Sequence, residues 1–510
     1  MLFRTSKKEL THLPDDCDKM KKTTHCKRIA VIGAGVGGLG SAIRLAVKSH
    51  EVTVFEQASL PGGKISQITD QGFRFDTGPS LFTLPKLVDE LFELAGEDPR
   101  THFRYSKLPA SCKYFWDDET IIHAWQDTER FADEVEESTG VQARHIRSFL
   151  DKSKRLYELT AEIFMFNSLH KWRNYFSPAF RRSMLYINEL DAFTTMHLRN
   201  KKWFSHPKVT QLFDRYATYN GSNPYQTPAT LNIIAHLEHN IGAFFPEKGM
   251  YSIAQSLYDL AKKKGVQFRF NTPVQEIILQ GKQATGVRVA NEFIPFDAVV
   301  SNVDVWNLYK HLMPAEKPPK GTTNSQRSTS ALIFYWGINT TFPQLEVHNI
   351  LFANDYKKEF DHLFTTKSIT PDPTVYLFIS SKTVEGDAPT GKENWYVMIN
   401  VPENTGQDWD TLIPEARRNI IARINHVLKT DIEKQILLEH VADPRTIERD
   451  TGSFGGSLYG NSSNNPFAAF MRHPNFKARY SNLFFTGGSV HPGGGIPLCL
   501  ASARIVADEL

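Results

Sequence analysis

The first strong pattern in the chain lies at residues 28–32, RIAVI, an unbroken apolar and β-branched run of the kind that forms a strand buried on both faces. A glycine-rich turn follows. Apolar positions then recur at helical spacing to about Lys48, and a second short run, EVTVFE, ends at Glu56. The switch between strand and helix periods returns twice. GMYSIAQSLYDLAKKKGVQFRFN reads as a helix, a break at Gly265 and a strand, and it leads through VQEI and GVRVA to FDAVVSNVD. NLFFT, residues 482–486, predicts a last strand; a glycine-packed loop, SVHPGGGIP, then feeds a helix from about Ile496.

Between these elements the pattern changes character. QARHIRSFLDKSKRLYELTAEIFMF keeps apolar positions three and four apart, the period of a helix with one buried face. HKWRNYFSPAFRRSMLYI and HLRNKKWF then set lysines and arginines beside Trp, Tyr and Phe. Long cations next to aromatic rings suit the headgroup level of an anionic membrane; an exposed helical face has the same composition. SALIFYWGI, TVYLFIS and NWYVMINV are apolar and aromatic, as expected for strands of a core sheet or of one wall of a ligand tunnel. MPAEKPPKGTTNSQRS reads as a surface loop.

Composition narrows the picture modestly. The chain has 510 residues, 41% hydrophobic and 23% charged, as in a globular protein of two or three domains. A formal net charge of +3 supplies no global field for nucleic acid. Aromatics at 12%, with 35 Phe, suit a bulky apolar ligand, and a large core would use them equally. The four cysteines, Cys17, Cys26, Cys112 and Cys499, contain no C-x-x-C pair. Neither a metal site nor a redox pair is expected, and a reducing cytosolic setting fits. No apolar run reaches the roughly 20 residues of a spanning helix. Residues 1–27 are polar, lack a signal-peptide core and read as a disordered leader, with Met20 an alternative start.

The chemistry begins at the first turn. Gly33, Gly35 and Gly38 form G-x-G-x-x-G after a strand and before a helix. The first glycine permits the tight turn, the second lets backbone approach a pyrophosphate, and the third lets helix pack on strand. Glu56 stands at the end of the second strand, about 20 residues on, where a carboxylate accepts hydrogen bonds from a ribose and disfavours a 2′-phosphate. The unit therefore predicts dinucleotide binding, with Val36 and Gln57 flanking the glycines and the acid. The glycine loop near residue 490 opens a helix whose unpaired N–H groups can also face an anion.

PGGKISQITDQGFRFDTGPSLF, with its Gly62-Gly63-Lys64 turn, resembles the signature of flavoproteins in the amine-oxidase and carotenoid-desaturase superfamily. FDTGPSLFTLP, RYATYNGSNPY, HPGGGIPLCLASARIV and the pairing of SLYGNSSN with AFMRHPN resemble the bacterial carotenoid desaturases of the phytoene-desaturase type, from about Arg28 to the C-terminus. LIFYWGI, DPTVYLFISSKT and ENWYVMINVP are most similar to the 1-hydroxycarotenoid 3,4-desaturase branch.

The resemblance implies an α/β fold: a discontinuous Rossmann-like FAD-binding domain, a mixed β-sheet substrate domain and a helical membrane-docking subdomain. Residues 28–98, 246–305 and 445–510 are then expected in the FAD domain, 99–130 and 306–444 in the substrate domain, and 131–245 in the helical one. It implies FAD rather than NAD, held by the residues above together with Gly63, Lys64, Pro79, Ser80, Val274, Gly487, Gly488, Ile496 and Pro497. Lys64 stands where the family commonly has arginine. The implied reaction is desaturation of a carotenoid drawn from a membrane, at the 3,4 position of a 1-hydroxylated end, with oxygen or a quinone as final electron acceptor. A cytoplasmic protein held peripherally on the inner membrane follows. Multi-step phytoene desaturation, carotenoid isomerisation, amine oxidation and non-catalytic lipid binding are the alternative readings on this fold.

No single catalytic residue emerges. Arg215, Tyr219, His236 and Glu238, with Tyr216 and His239, are polar candidates for a proton acceptor or for contact with a substrate hydroxyl, and structural roles are the alternative. His491 is expected to order the C-terminal loop. Cys499, inside the last helix, is not read as a flavin tether.

Overall fold

The unbroken apolar runs of the sequence become one parallel sheet. Its order is Leu483–Phe485, Ala298–Ser301, Arg28–Ile32, Glu51–Phe55 and Gln267–Arg269. The central strand is flanked in register by Ile29 opposite both Ala298 and Val52, and Ile29, Ala30 and Val31 are fully buried. The structure, a computed structural model, describes residues 26–323, 325–465, 472–477 and 479–510. Apart from Cys26 and Lys27, the leader expected over residues 1–27 lies outside the described residues.

The helix Val36–Val47 lies between the helix Tyr251–Lys263 and the C-terminal helix Ile496–Ala507. Small residues permit the second contact: a Cβ on Gly40 would stand 3.0 Å from Leu500 and 3.2 Å from Ala503. The FRFDTG stretch ties the first segment to the middle one. Asp76 is buried and accepts from the backbone N–H groups of Met250 (2.8 Å) and Tyr251 (3.0 Å), at the start of the helix Tyr251–Lys263. Arg74 bridges it to Asp387 of the next layer.

That layer is a seven-stranded sheet ordered Ile436–Ala442, Ser330–Ile338, Glu393–Val401, Val375–Phe378, His348–Leu351, Ala110–Phe115 and Ile121–Trp125. All pairs are antiparallel except His348–Leu351 with Ala110–Phe115. Every residue of Ser330–Ile338 is buried, because both faces are covered. Leu332, Phe334 and Trp336 pack with Trp395 and Val397 against the helix Trp409–Leu428. Ile333, Tyr335, Tyr396 and Met398 face the nucleotide layer instead.

Helices Thr128–Thr139, Ala143–Phe164, Met196–Phe204 and Pro207–Asp214 close the remaining side. Phe149, Phe204 and Phe213 form their aromatic core, with Phe204 stacked on Phe213 at 4.7 Å. No helix among the described residues is long and apolar enough to cross a membrane.

Candidate active site

Two distant glycine segments converge on one side chain, Asn302, just beyond the strand Ala298–Ser301. A Cβ would lie 2.8 Å from its amide nitrogen at Gly35, and 2.7 and 2.4 Å from its amide oxygen at Gly37 and Gly487. At Gly38 a Cβ would lie 2.0 Å from the carbonyl oxygen of Gly33, so only glycine lets this helix sit on this strand. Gly62 donates to the carbonyl of Ala34 at 2.9 Å, and a Cβ on Gly63, whose φ is +60°, would stand 3.3 Å from the Cα of Gly35. The double-glycine turn thus stacks on the fingerprint loop.

Glu56 accepts from the N–H of Ala34 through one carboxylate oxygen (2.6 Å) and from that of Ala58 through the other (2.9 Å). Each oxygen keeps a lone pair, which is what a ribose diol requires. Lys64 donates to the carbonyl of Leu458 at 2.5 Å. Burial pulls its ammonium down to about 8, against the opposing pull of Asp304. His491 is buried, and burial takes its imidazole down to about 4, so it is neutral and donates Nε2–H to the carbonyl of Asn167 at 2.9 Å. That bond pins the C-terminal loop to the helical layer. Burial pushes the Cys499 thiol up to about 11, so it remains a protonated thiol.

These residues open into one cavity of about 1630 Å³. Gly33, Gly35, Val36, Glu56, Gln57, Gly63, Lys64, Pro79, Ser80, Val274, Gly488, Ile496 and Pro497 line it; Gly38 and Gly487 shape it from behind. Single small-molecule sites occupy roughly 300–1,000 Å³, so the volume suits a dinucleotide together with a second, long ligand. The part beyond the glycine loops is walled by Met165, Leu231, Ile234, Leu237, Ile333 and Ile350.

The far wall carries a buried polar cluster. Glu238 accepts from Ser111 (2.8 Å), Tyr216 (3.0 Å), Arg215 (3.3 Å) and Tyr219. Arg215 also donates to Tyr219 (2.9 Å) and Tyr114 (2.6 Å). Burial by itself pushes the Glu238 carboxyl up, but Arg215 and the hydroxyls of Tyr219 and Ser111 outweigh it and hold the group below its ordinary value. Four donors and a depressed pKa make Glu238 a poor proton acceptor. His239 is brought down to about 4 by burial, so it is neutral, and its Nε2 pairs with the Tyr216 hydroxyl at 2.9 Å.

Of the four sequence candidates, Arg215, Tyr219 and Glu238 meet here, and His236 does not. Its ring lies 5.0 Å from Tyr157, and its Nδ1 pairs with Asn240. The reason is angular: residues two apart on a helical backbone point to opposite sides, so Glu238 facing Arg215 turns His236 away. Arg215 and Tyr219 lie on one 3₁₀ turn, Arg215–Asn220, and meet through the guanidinium–hydroxyl bond. Sequence reading missed Asn302 and a chain across the sheet, Ser80 to Tyr376 (2.6 Å) to His348 (2.8 Å). Strand alternation puts His348 and Ile350 on one face; which face meets the cavity is set by the packing of layers.

A two-segment glycine cradle with a ribose-accepting acid, opening into a long apolar chamber, defines a dinucleotide-dependent oxidoreductase of apolar substrates. Residues 36–510 match the flavin containing amine oxidoreductase family, and the chain belongs to it; its cofactor is FAD. A 1-hydroxycarotenoid 3,4-desaturase of Flavobacterium sp. (strain P99-3) is 47% identical over 482 residues, 94% of this chain and 98% of its own. A 4,4'-diapolycopene oxygenase of Methylomonas sp is 30% identical over 95% of this chain and 98% of its own. An oxidoreductase from Methanosarcina mazei shares the fold with a TM-score of 0.62 at 14% identity, covering 94% of this chain and all of that one.

Proposed function

We propose that this enzyme forms a carbon–carbon double bond at the 3,4 position of a 1-hydroxylated carotenoid. The observation that carries the reading is the near full-length likeness to a desaturase of that substrate and bond. The reaction removes a hydride equivalent and a proton from neighbouring carbons; bound FAD accepts the hydride equivalent. The chain's own part is to hold an extended hydrocarbon in the apolar chamber, exclude water and present one end to the cofactor. The polyene itself delocalises positive charge, so a poor acceptor such as Glu238 is compatible with the chemistry.

The test uses FAD-loaded protein in liposomes, with oxygen or a quinone as oxidant. Given a 1-hydroxylated carotenoid, the product is expected to lose two hydrogens and absorb at longer wavelength. Conversion of phytoene alone, or a product that gains oxygen, would overturn the assignment.

Such a substrate resides in a membrane, and a docking surface is part of the proposal. Trp172, Phe176, Leu185 and Phe193 are 69%, 69%, 81% and 89% exposed. Lys171, Arg173, Arg181 and Arg182 are interleaved with them. This segment follows the helix Ala143–Phe164, whose end, with Met165, lines the cavity. An anionic bilayer surface complements both the rings and the charges. Changing the four exposed apolar residues to serine is expected to weaken co-flotation with anionic vesicles by about tenfold or more, while activity on detergent-dispersed substrate stays near wild type. Unchanged flotation would refute the docking surface.

A further inference from the structure

The polar cluster of the far wall has little to offer a ligand, because its hydroxyls are spent on Glu238 and Arg215. Two polar groups elsewhere on the chamber wall are free. Asn220 and Tyr459 are partly exposed and line the cavity. Neither the Nδ2 of Asn220 nor the hydroxyl of Tyr459 has a hydrogen-bond partner among the described residues, and neither atom is sealed from the cavity. The Oδ1 of Asn220 is sealed, so the amide presents its donor end to the chamber. Both groups sit where the chamber meets the glycine cradle. The carbonyl of Leu458 holds Lys64 at 2.5 Å, and a Cβ on Gly494, in the C-terminal glycine loop, would stand 2.9 Å from one edge of the Tyr459 ring. Gly221, next to Asn220, has φ +62°, and a Cβ there would stand 3.0 Å from the other edge of that ring. The ring is thus held between two glycines. Its backbone is clamped as well: the N–H of Tyr459 donates to Ser328 Oγ at 3.0 Å, and its carbonyl accepts from Arg472 at 2.9 Å.

Resting on the desaturase reading above, we infer that Asn220 Nδ2 and the Tyr459 hydroxyl are the hydrogen-bond donor and acceptor for the substrate's terminal hydroxyl, and that this contact fixes which carbons meet the cofactor. The carbons to be desaturated lie only two and three bonds from the hydroxyl-bearing carbon. The hydroxyl must therefore be held beside the cofactor, and Tyr459 rests on both halves of the cradle. An alcohol accepts one hydrogen bond and donates another. It takes the amide N–H of Asn220 and gives its own proton to the phenol oxygen of Tyr459. Burial pushes that phenol up to about 12, so it is an uncharged hydroxyl. A hydrocarbon end pairs with neither group, and a site built to bind a hydroxyl rejects an analogue lacking it.

The test presents FAD-loaded enzyme with a 1-hydroxylated carotenoid and with the same skeleton lacking the hydroxyl, the latter read by turnover or as a competitive inhibitor. The wild type is expected to prefer the hydroxylated compound by about 100-fold or more. Tyr459→Phe keeps the ring between its two glycines, and Asn220→Leu keeps the side-chain volume. Each should lower kcat/KM for the hydroxylated substrate by about 5- to 30-fold, while affinity for the unhydroxylated skeleton changes less than about threefold. Asn220→Gln, which retains the amide, should recover part of the preference. Flavin content, flavin absorption and Tm of Tyr459→Phe should match wild type. An unchanged preference, parallel loss on both compounds, a shifted flavin absorption in Tyr459→Phe, or a wild type that does not distinguish the two compounds would overturn the role of this pair while leaving the desaturase reading intact. Failure of the wild-type enzyme on the hydroxylated substrate would overturn both.

Discussion

Glu238→Leu is expected to destabilise the protein by about 3–5 kcal/mol, the loss typical of breaking a buried ion pair from one side. Arg215 is 5% exposed and would keep its charge with only phenolic oxygens for partners. The hydroxyls of Ser111, Tyr216 and Tyr219 would lose an acceptor at the same time. Replacing both members, with Arg215→Met added, should recover a large part of the loss, because the surviving charge is what costs most. Thermal or urea unfolding of the two variants measures this directly. A single mutant as stable as wild type would show that the cluster is hydrated or rearranged. The pH dependence has a definite sign. Glu238 is held below its unfolded value of 4.5, so its contribution is complete above that pH and disappears as the pH falls through the folded value. The double mutant should therefore lose stability less steeply than wild type on acidification.

The second large effect belongs to the glycine cradle. Gly38→Ala adds one methyl, yet that carbon would stand 2.0 Å from the carbonyl oxygen of Gly33. The obstacle is backbone, so no side-chain rotation relieves it, and the helix must move off the strand. Overpacking of this kind costs about 1–3 kcal/mol or more, and the displacement falls where the pyrophosphate is expected. The variant should purify colourless or nearly so, with a lower Tm that added FAD does not restore. A yellow protein with the wild-type ratio of flavin to protein absorbance would refute the steric account.

What could be read from the sequence was what is local. The fingerprint needs a strand, three spaced glycines and an acid, and all of these lie between Arg28 and Glu56. Three strands of the large sheet, Ser330–Ile338, Val375–Phe378 and Glu393–Val401, were visible as apolar runs, but the other four, His348–Leu351 among them, and the inner and outer faces of all seven were not. Both faces of Ser330–Ile338 are buried, so no polar alternation marks the cavity side. Tyr376 was hidden for that reason, and His348 because its strand is only four residues long, HNIL. Asn302 was hidden because its role depends on Gly487 arriving from the far end of the chain. His236 is the opposite case: its mismatch with Glu238 followed from helical geometry alone and was available from the spacing.

The strand Leu483–Phe485 and the helix Ile496–Ala507 are the last described elements of the chain, yet they complete the sheet and the small-residue contact begun by residues 28–47. During synthesis the first strand–helix–strand unit must therefore wait, with Gly40 and its neighbours uncovered, until residues near 500 have left the ribosome. Contacts of such sequence separation form slowly and leave apolar surface exposed meanwhile. Cofactor capture is thus a late event in the life of the polypeptide. The yield of active enzyme in a cell should depend on chaperone capacity and flavin supply after translation as much as on the final stability of the fold.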